Sequence, residues 1–134
     1  MTLTKLNYTG QGTIPPTKLP TNSVLQVIST TKTDTQTITG SSFVDITGLS
    51  ATITPSSTSS KILISINVSF SGTIYKESMS GLDSPNTTSA TTYKVQISPM
   101  RGASTTANVN RSNILGDDNQ YNSVSTITLM EIAG

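Results

Sequence analysis

The stretch Lys61-Ile62-Leu63-Ile64-Ser65-Ile66-Asn67-Val68-Ser69-Phe70 decides the fold class of this chain. Ile62, Ile64, Ile66, Val68 and Phe70 stand at alternate positions, with Leu63, Ser65, Asn67 and Ser69 between them. Successive side chains of a strand point to opposite faces, so the run lays five apolar groups on one face. A helix would scatter the same residues around its circumference. A one-residue slip would turn the whole row into water, so the pairing of this strand is expected to be firm.

Toward the N-terminus the pattern repeats in shorter pieces. Pro55-Ser56-Ser57-Thr58-Ser59-Ser60 is a stretch of turn formers. Before it Leu49, Ala51 and Ile53 alternate, Gly48 marks a bend, and Phe43 to Thr47 forms a strand with Val44 and Ile46 on one face. Thr35 to Thr39 is a Thr-rich strand closed by Gly40-Ser41-Ser42, and from Ser23 to Ile28 both faces carry apolar groups. Toward the C-terminus, Ile74 and Tyr75 predict a short strand and Asp83-Ser84-Pro85-Asn86 a turn. Thr91 to Ser98 is a strand with Tyr93, Val95 and Ile97 inward. Ala107 to Arg111 reads as a short edge strand and Val124 to Ile132 as a long one. No window shows a helical period with caps. Strands recurring every 8–15 residues or so, with turns between, predict an all-β, antiparallel β-sandwich or jelly-roll-like knob over residues 23–134. Its core is expected on the Ile62 row. A second row, Leu25, Val27, Leu63, Ile127 and Leu129, is expected to pack between sheets or subunits.

Residues 1–22 read as an extended N-terminal arm. Gly10, Gly12, Pro15, Pro16 and Pro20 break a helix, and the prolines withhold donors from a central strand. Leu3, Leu6, Tyr8, Ile14 and Leu19 punctuate the arm singly and are its candidate attachment or oligomerisation contacts.

Composition narrows the functions. Of the 134 residues only 33% are hydrophobic and 4% aromatic, with no Trp. Burial contributes roughly 25 cal/mol per Å² of apolar surface, while ordering costs about 1–2 kcal/mol per backbone residue. So thin a supply of large side chains points to an interior shared among copies, and an oligomer is the expected state. The net charge is +1, and the eight Lys and Arg residues are dispersed, which argues against the basic patch that a nucleic-acid binder needs. No run reaches the roughly 20 apolar residues of a membrane-spanning helix, so no membrane insertion is expected. The N-terminus has no basic-then-apolar export pattern.

Catalysis is not expected. The chain has neither His nor Cys, which removes the usual base and thiol nucleophile. Its serines have no positioned base in view. No cofactor is expected. Gly116-Asp117-Asp118-Asn119 supplies oxygen donors, which makes Asp117, Asp118 and Asn119 weak metal candidates. Their spacing is not that of an EF-hand loop, and a solvated turn is the favoured reading. Tyr75 and Tyr121 fall near predicted loops and are candidates for contact with a surface glycan.

Several phrases carry a family resemblance. Thr47-Gly48-Leu49-Ser50 precedes Ile53-Thr54-Pro55-Ser56-Ser57-Thr58-Ser59-Ser60-Lys61-Ile62-Leu63. Later come Leu82-Asp83-Ser84-Pro85, then Thr87-Thr88-Ser89-Ala90-Thr91-Thr92-Tyr93-Lys94-Val95-Gln96, and finally Ser125-Thr126-Ile127-Thr128-Leu129-Met130-Glu131-Ile132. In that order they resemble the β-rich C-terminal domain of tail-fibre and related virion proteins of phages infecting marine and freshwater bacteria, cyanophages among them. The resemblance runs from about Ser23 to the C-terminus. It implies a structural protein on the exterior of a phage particle, a trimeric tail fibre or fibre-like protein joined to tail, baseplate or capsid proteins. A capsid decoration or head-fibre protein is the alternative, and a small carbohydrate-binding module the second. The chain departs from the family in its short middle section, where only Ser71 to Gly81 separates the Ile62 strand from the Leu-Asp-Ser-Pro turn. The sandwich is therefore expected either to lose two strands or to be completed by a neighbouring subunit.

Overall fold

A computed structural model of the chain describes residues 19–70, 75–99, 106–111 and 123–134. It is all-β, with strands β1 (Val24–Lys32), β2 (Gln36–Thr39), β3 (Val44–Ile53), β4 (Lys61–Phe70), β5 (Tyr75–Asp83), β6 (Thr91–Ile97), β7 (Thr106–Val109) and β8 (Ser125–Ile132). Every pairing is antiparallel. Among the described residues the strands divide unevenly into a sheet of six and a sheet of two, β3-β6.

β4, the strand that decides the fold class, is the axis of the large sheet. β5 runs along one side of it from Ile62↔Asp83 to Phe70↔Tyr75. β8 occupies the other side from Lys61↔Ile132 to Asn67↔Thr126, and β7 joins at Phe70↔Val109. β1 lies beyond β8 and β2 beyond β7. β3 lies across β1 and β8, so the two sheets enclose one core.

The alternation in β4 becomes that core. Ile62 and Val68 are fully buried, and Ile64, Ile66 and Phe70 are half-buried against them. Ile127 and Leu129 of β8 stand opposite Ile66 and Ile64 and are fully buried. Ile46, Leu49, Ala51 and Ile53 of β3 close over them with Val95 of β6. Fully burying an aliphatic side chain contributes roughly 1.5–3 kcal/mol, so this cluster is the main stabilising term.

Four expectations need correcting. First, Ile127 and Leu129 share the Ile62 face. Leu63 belongs to the opposite face, aligned with Met130, Val27 and Leu82. The cross-strand register, which the sequence does not carry, assigns these rows. Second, the segments around Gly48 form one strand. Between Asp45↔Gln96 and Ser50↔Lys94 the pairing shifts, and Gly48 has φ +78°. That bulge resets the alternation, so Ile46 and Leu49, three residues apart, both reach the core. The Gln36 side chain spans the irregularity, donating to the Asp45 carbonyl at 3.1 Å and accepting from the Thr47 amide at 2.8 Å.

Third, β5 is a nine-residue strand rather than a short one around Tyr75. Ser78-Met79-Ser80-Gly81 has little strand character of its own, and continuous pairing with β4 supplies it. Fourth, β7 is not an edge strand, because β2 pairs with one side of it and β4 meets the other at Val109.

Of the N-terminal arm, residues 19–22 are described. They turn back onto the end of β8: the Ser23 amide donates to the Pro20 carbonyl at 3.1 Å, and the Asn22 amide donates to the Ala133 carbonyl at 2.8 Å.

Candidate functional site

Two buried polar clusters fix the ends of the sandwich. The first centres on Glu131. The period of β8 places it in the same row as Ser125, Ile127 and Leu129, and its side chain is 0% exposed. One carboxylate oxygen accepts the Ser56 amide at 2.7 Å and the Ser56 hydroxyl at 2.6 Å. The other accepts Gln26 Nε2 at 2.6 Å, and that amide also donates to the Thr54 carbonyl at 2.8 Å. The Ser60 hydroxyl is buried and makes no hydrogen bond. Burial pushes the Glu131 carboxyl up, but the donors from Ser56 and Gln26 together outweigh it and hold the group below its ordinary value. The carboxylate thus pins the Pro55–Ser60 turn to the sheet.

The second cluster centres on Asn110, fully buried with φ +58°. Its Nδ2 donates to the carbonyls of Lys32 at 2.8 Å and Asp34 at 3.1 Å, and its Oδ1 accepts the Ser125 hydroxyl at 2.6 Å. The Asn110 amide donates to the Ser69 carbonyl at 2.9 Å, and the Ser69 amide donates to Ser125 Oγ at 3.1 Å. Asn110 therefore ties the ends of β1 and β8 together through its side chain and holds β4 through its backbone amide. Beside it the buried Lys32 ammonium donates to Asp34 at 2.8 Å, so the charge is paired.

The Glu131 oxygens are occupied by donors that restrain them, and no His or Cys stands beside either cluster. Among the described residues no group of three His, Cys, Asp or Glu could hold a metal ion.

The predicted site residues are not brought together. Leu3, Leu6, Tyr8, Ile14, Asp117, Asp118, Asn119 and Tyr121 lie outside the described residues. Tyr75 opens β5, opposite Phe70, and its side chain also lies outside what is described. Leu19 is half-buried and lines a cavity of about 340 Å³ with Thr21, Leu25, Ser57, Ala133 and Gly134. Tyr93, expected inward, is half-buried against the core, and its hydroxyl donates to Asp83 at 2.6 Å. Burial, then the Asp83 hydrogen bond and charge, push the Tyr93 phenol well above its ordinary value.

Among the described residues, nothing covers part of the apolar surface along β4 and β5. On the inner face β3 lies over β1 and β8, and a groove of about 230 Å³ remains, lined by Ile64, Ile66, Met79, Ser80 and Gly81. On the outer face the register sets Val27, Met130, Leu63 and Leu82 in one row across four strands. Val27 is 53% and Leu82 58% exposed. The outer face of the small sheet is different. There Asp45 accepts Lys94 at 3.0 Å and Gln96 at 2.6 Å, bonds that hold its carboxyl below its ordinary value.

Sequence reasoning missed both polar clusters. The parity of β8 was the available signal for Glu131, since the row that buries Ile127 and Leu129 carries it inward. Asn110 had no such signal, because its role depends on strands far away in sequence.

Comparison with known proteins adds no relative: no family model, no curated protein and no solved structure matches this chain.

Proposed function

We propose that this chain is a non-enzymatic structural protein of a bacteriophage particle, working as a homotrimer in a tail fibre or fibre-like appendage. The observation that supports the assembly reading is the mismatch of six strands against two, which among the described residues leaves the apolar flank of β4 and β5 uncovered. In a chain with 33% hydrophobic residues, so much unshielded aliphatic surface fits an interior completed by sister copies. The phage assignment rests on the resemblance of the Ile53–Leu63, Leu82–Gln96 and Ser125–Ile132 phrases to virion fibre domains. In this reading the arm joins the knob to tail, baseplate or capsid proteins. Tyr75 and Tyr121 contribute to contact with a host glycan.

Light scattering on the purified chain is the first test. Three copies of 14.1 kDa give about 42 kDa. A 14.1 kDa species at high micromolar concentration would end the trimer reading and favour a small carbohydrate-binding module. Immunogold labelling of purified particles is the second test. Label on the tail supports the fibre, label on the shell makes it a capsid decoration or head-fibre protein, and unlabelled particles refute the virion role.

A further inference from the structure

We infer that the Pro55–Ser60 turn is an acid-sensitive latch. The buried Glu131 carboxylate holds it shut over a cavity at the root of the N-terminal arm, and protonation of that carboxylate lets the turn lift while the sandwich stays folded. The inference is independent of the assembly reading.

The turn is built as a strap. Its ends are fixed, because Pro55 and Ser60 are fully buried. Between them Ser56, Thr58 and Ser59 are exposed. Ser57 holds the strap together from within. Its hydroxyl pairs with the Ser59 hydroxyl at 2.9 Å and accepts the Ser59 amide at 3.2 Å, and its carbonyl accepts the Ser60 amide at 3.2 Å. Among the described residues, the hydrogen bonds that join 56–59 to the rest of the chain are the two from Ser56 to Glu131. The cavity of about 340 Å³ separates the strap from Leu19, Leu25 and Ala133. Apart from Gly134, which lies against the Ser59 backbone, there is open space beneath it. A segment held by so few ties opens at lower cost than the core.

Protonation acts on the one tie that matters. Glu131 accepts from the Ser56 amide, the Ser56 hydroxyl and Gln26 Nε2. A protonated carboxyl brings a new donor among these donors. It also weakens the bonds it still accepts, since those to a charged group are roughly twice as strong as neutral ones. The Ser56 hydroxyl can reverse to accept the new proton, but the Ser56 amide cannot. Gln26 of β1, Ile62 of β4, Thr54 at the end of β3 and Ser56 of the strap surround the group, and none of them titrates. Lys61, one residue from Ile62, belongs to the opposite face of β4 and is exposed. Its donors hold the Glu131 carboxyl below its ordinary value, so the latch is closed above the folded value and opens as pH falls through it.

Amide hydrogen exchange on the purified chain, read residue by residue by NMR, tests this. The Ser56 amide reports the latch, and the Ile64 amide, in a strand paired on both sides, reports the sandwich. After correction for intrinsic rates, Ser56 should lose at least ten-fold more protection than Ile64 between pH 7 and pH 3. Glu131→Gln should show the open strap already at pH 7, with no further change in the Ser56 to Ile64 ratio on acidification. Asn110→Ala, which loosens the opposite end, is the control, and there both amides should lose protection in parallel. Equal losses at Ser56 and Ile64 in the wild-type pH series would overturn the inference, and so would a Ser56 amide whose protection does not respond to pH. Should Glu131→Gln fail to fold, the wild-type series decides alone.

Discussion

Replacing Glu131 by Gln separates the charge of this buried group from its shape. The carboxylate accepts three hydrogen bonds, two from Ser56 and one from Gln26. Hydrogen bonds to a charged group contribute about 1.5–3 kcal/mol each, and neutral ones about 0.5–1.5. In Glu131→Gln one oxygen can still serve Ser56, at roughly 1 kcal/mol less for each bond. The new amide nitrogen faces the Gln26 amide nitrogen, donor against donor. Gln26 can flip to accept, but the Thr54 carbonyl then loses its partner. Because the neutral amide is easier to bury, part of this loss is recovered. The net destabilisation at pH 7 is about 2 kcal/mol, which for a chain of this length lowers Tm by roughly 6–10 °C. The pH dependence is the sharper test. The folded pKa lies below the ordinary 4.5, so the wild-type advantage is fully present above that pH and is lost as pH falls through the folded value. Urea unfolding of both proteins at one fixed concentration, followed by circular dichroism from pH 7 to pH 3, reads both effects. Equal stability at pH 7, or a gap that stays constant down to pH 3, would refute the role given to Glu131.

Two further substitutions probe the rest of the framework. Asn110→Ala removes three side-chain hydrogen bonds from a fully buried position and leaves an alanine at φ +58°. A loss of at least about 3 kcal/mol in urea unfolding is expected, and Asn110→Gly should recover only the backbone part of it. At Gly48 no atom lies within 4 Å of an added Cβ, yet its φ is +78°. Gly48→Val should therefore destabilise through backbone strain alone, by roughly 1–3 kcal/mol, and a melting temperature equal to wild type would contradict that.

Much of the sandwich was legible because local pattern and burial agree. The alternation in β4 named its own core face, and Tyr93, Val95 and Ile97 of β6 likewise turned inward as their period required. Where they parted, a specific interaction intervened. Gly48 at positive φ let Ile46 and Leu49 share a face despite their spacing. β5 took its length from the backbone of β4 rather than from its own weak pattern. Glu131, which composition alone would place on the surface, is buried because Ser56 and Gln26 supply donors from two other segments.

The sequence by itself determined the fold class, the turn at Pro55–Ser60 and the identity of the main core strand, because these follow from side-chain alternation and the dihedral preferences of Pro, Gly and Ser. Tertiary structure alone decided that Ile127 and Leu129 join the Ile62 face while Leu63 leaves it, that Asn110 ties three strands together, and that the strands divide six and two. Those outcomes depend on cross-strand register and on hydrogen bonds between residues far apart in the chain, which no local window encodes.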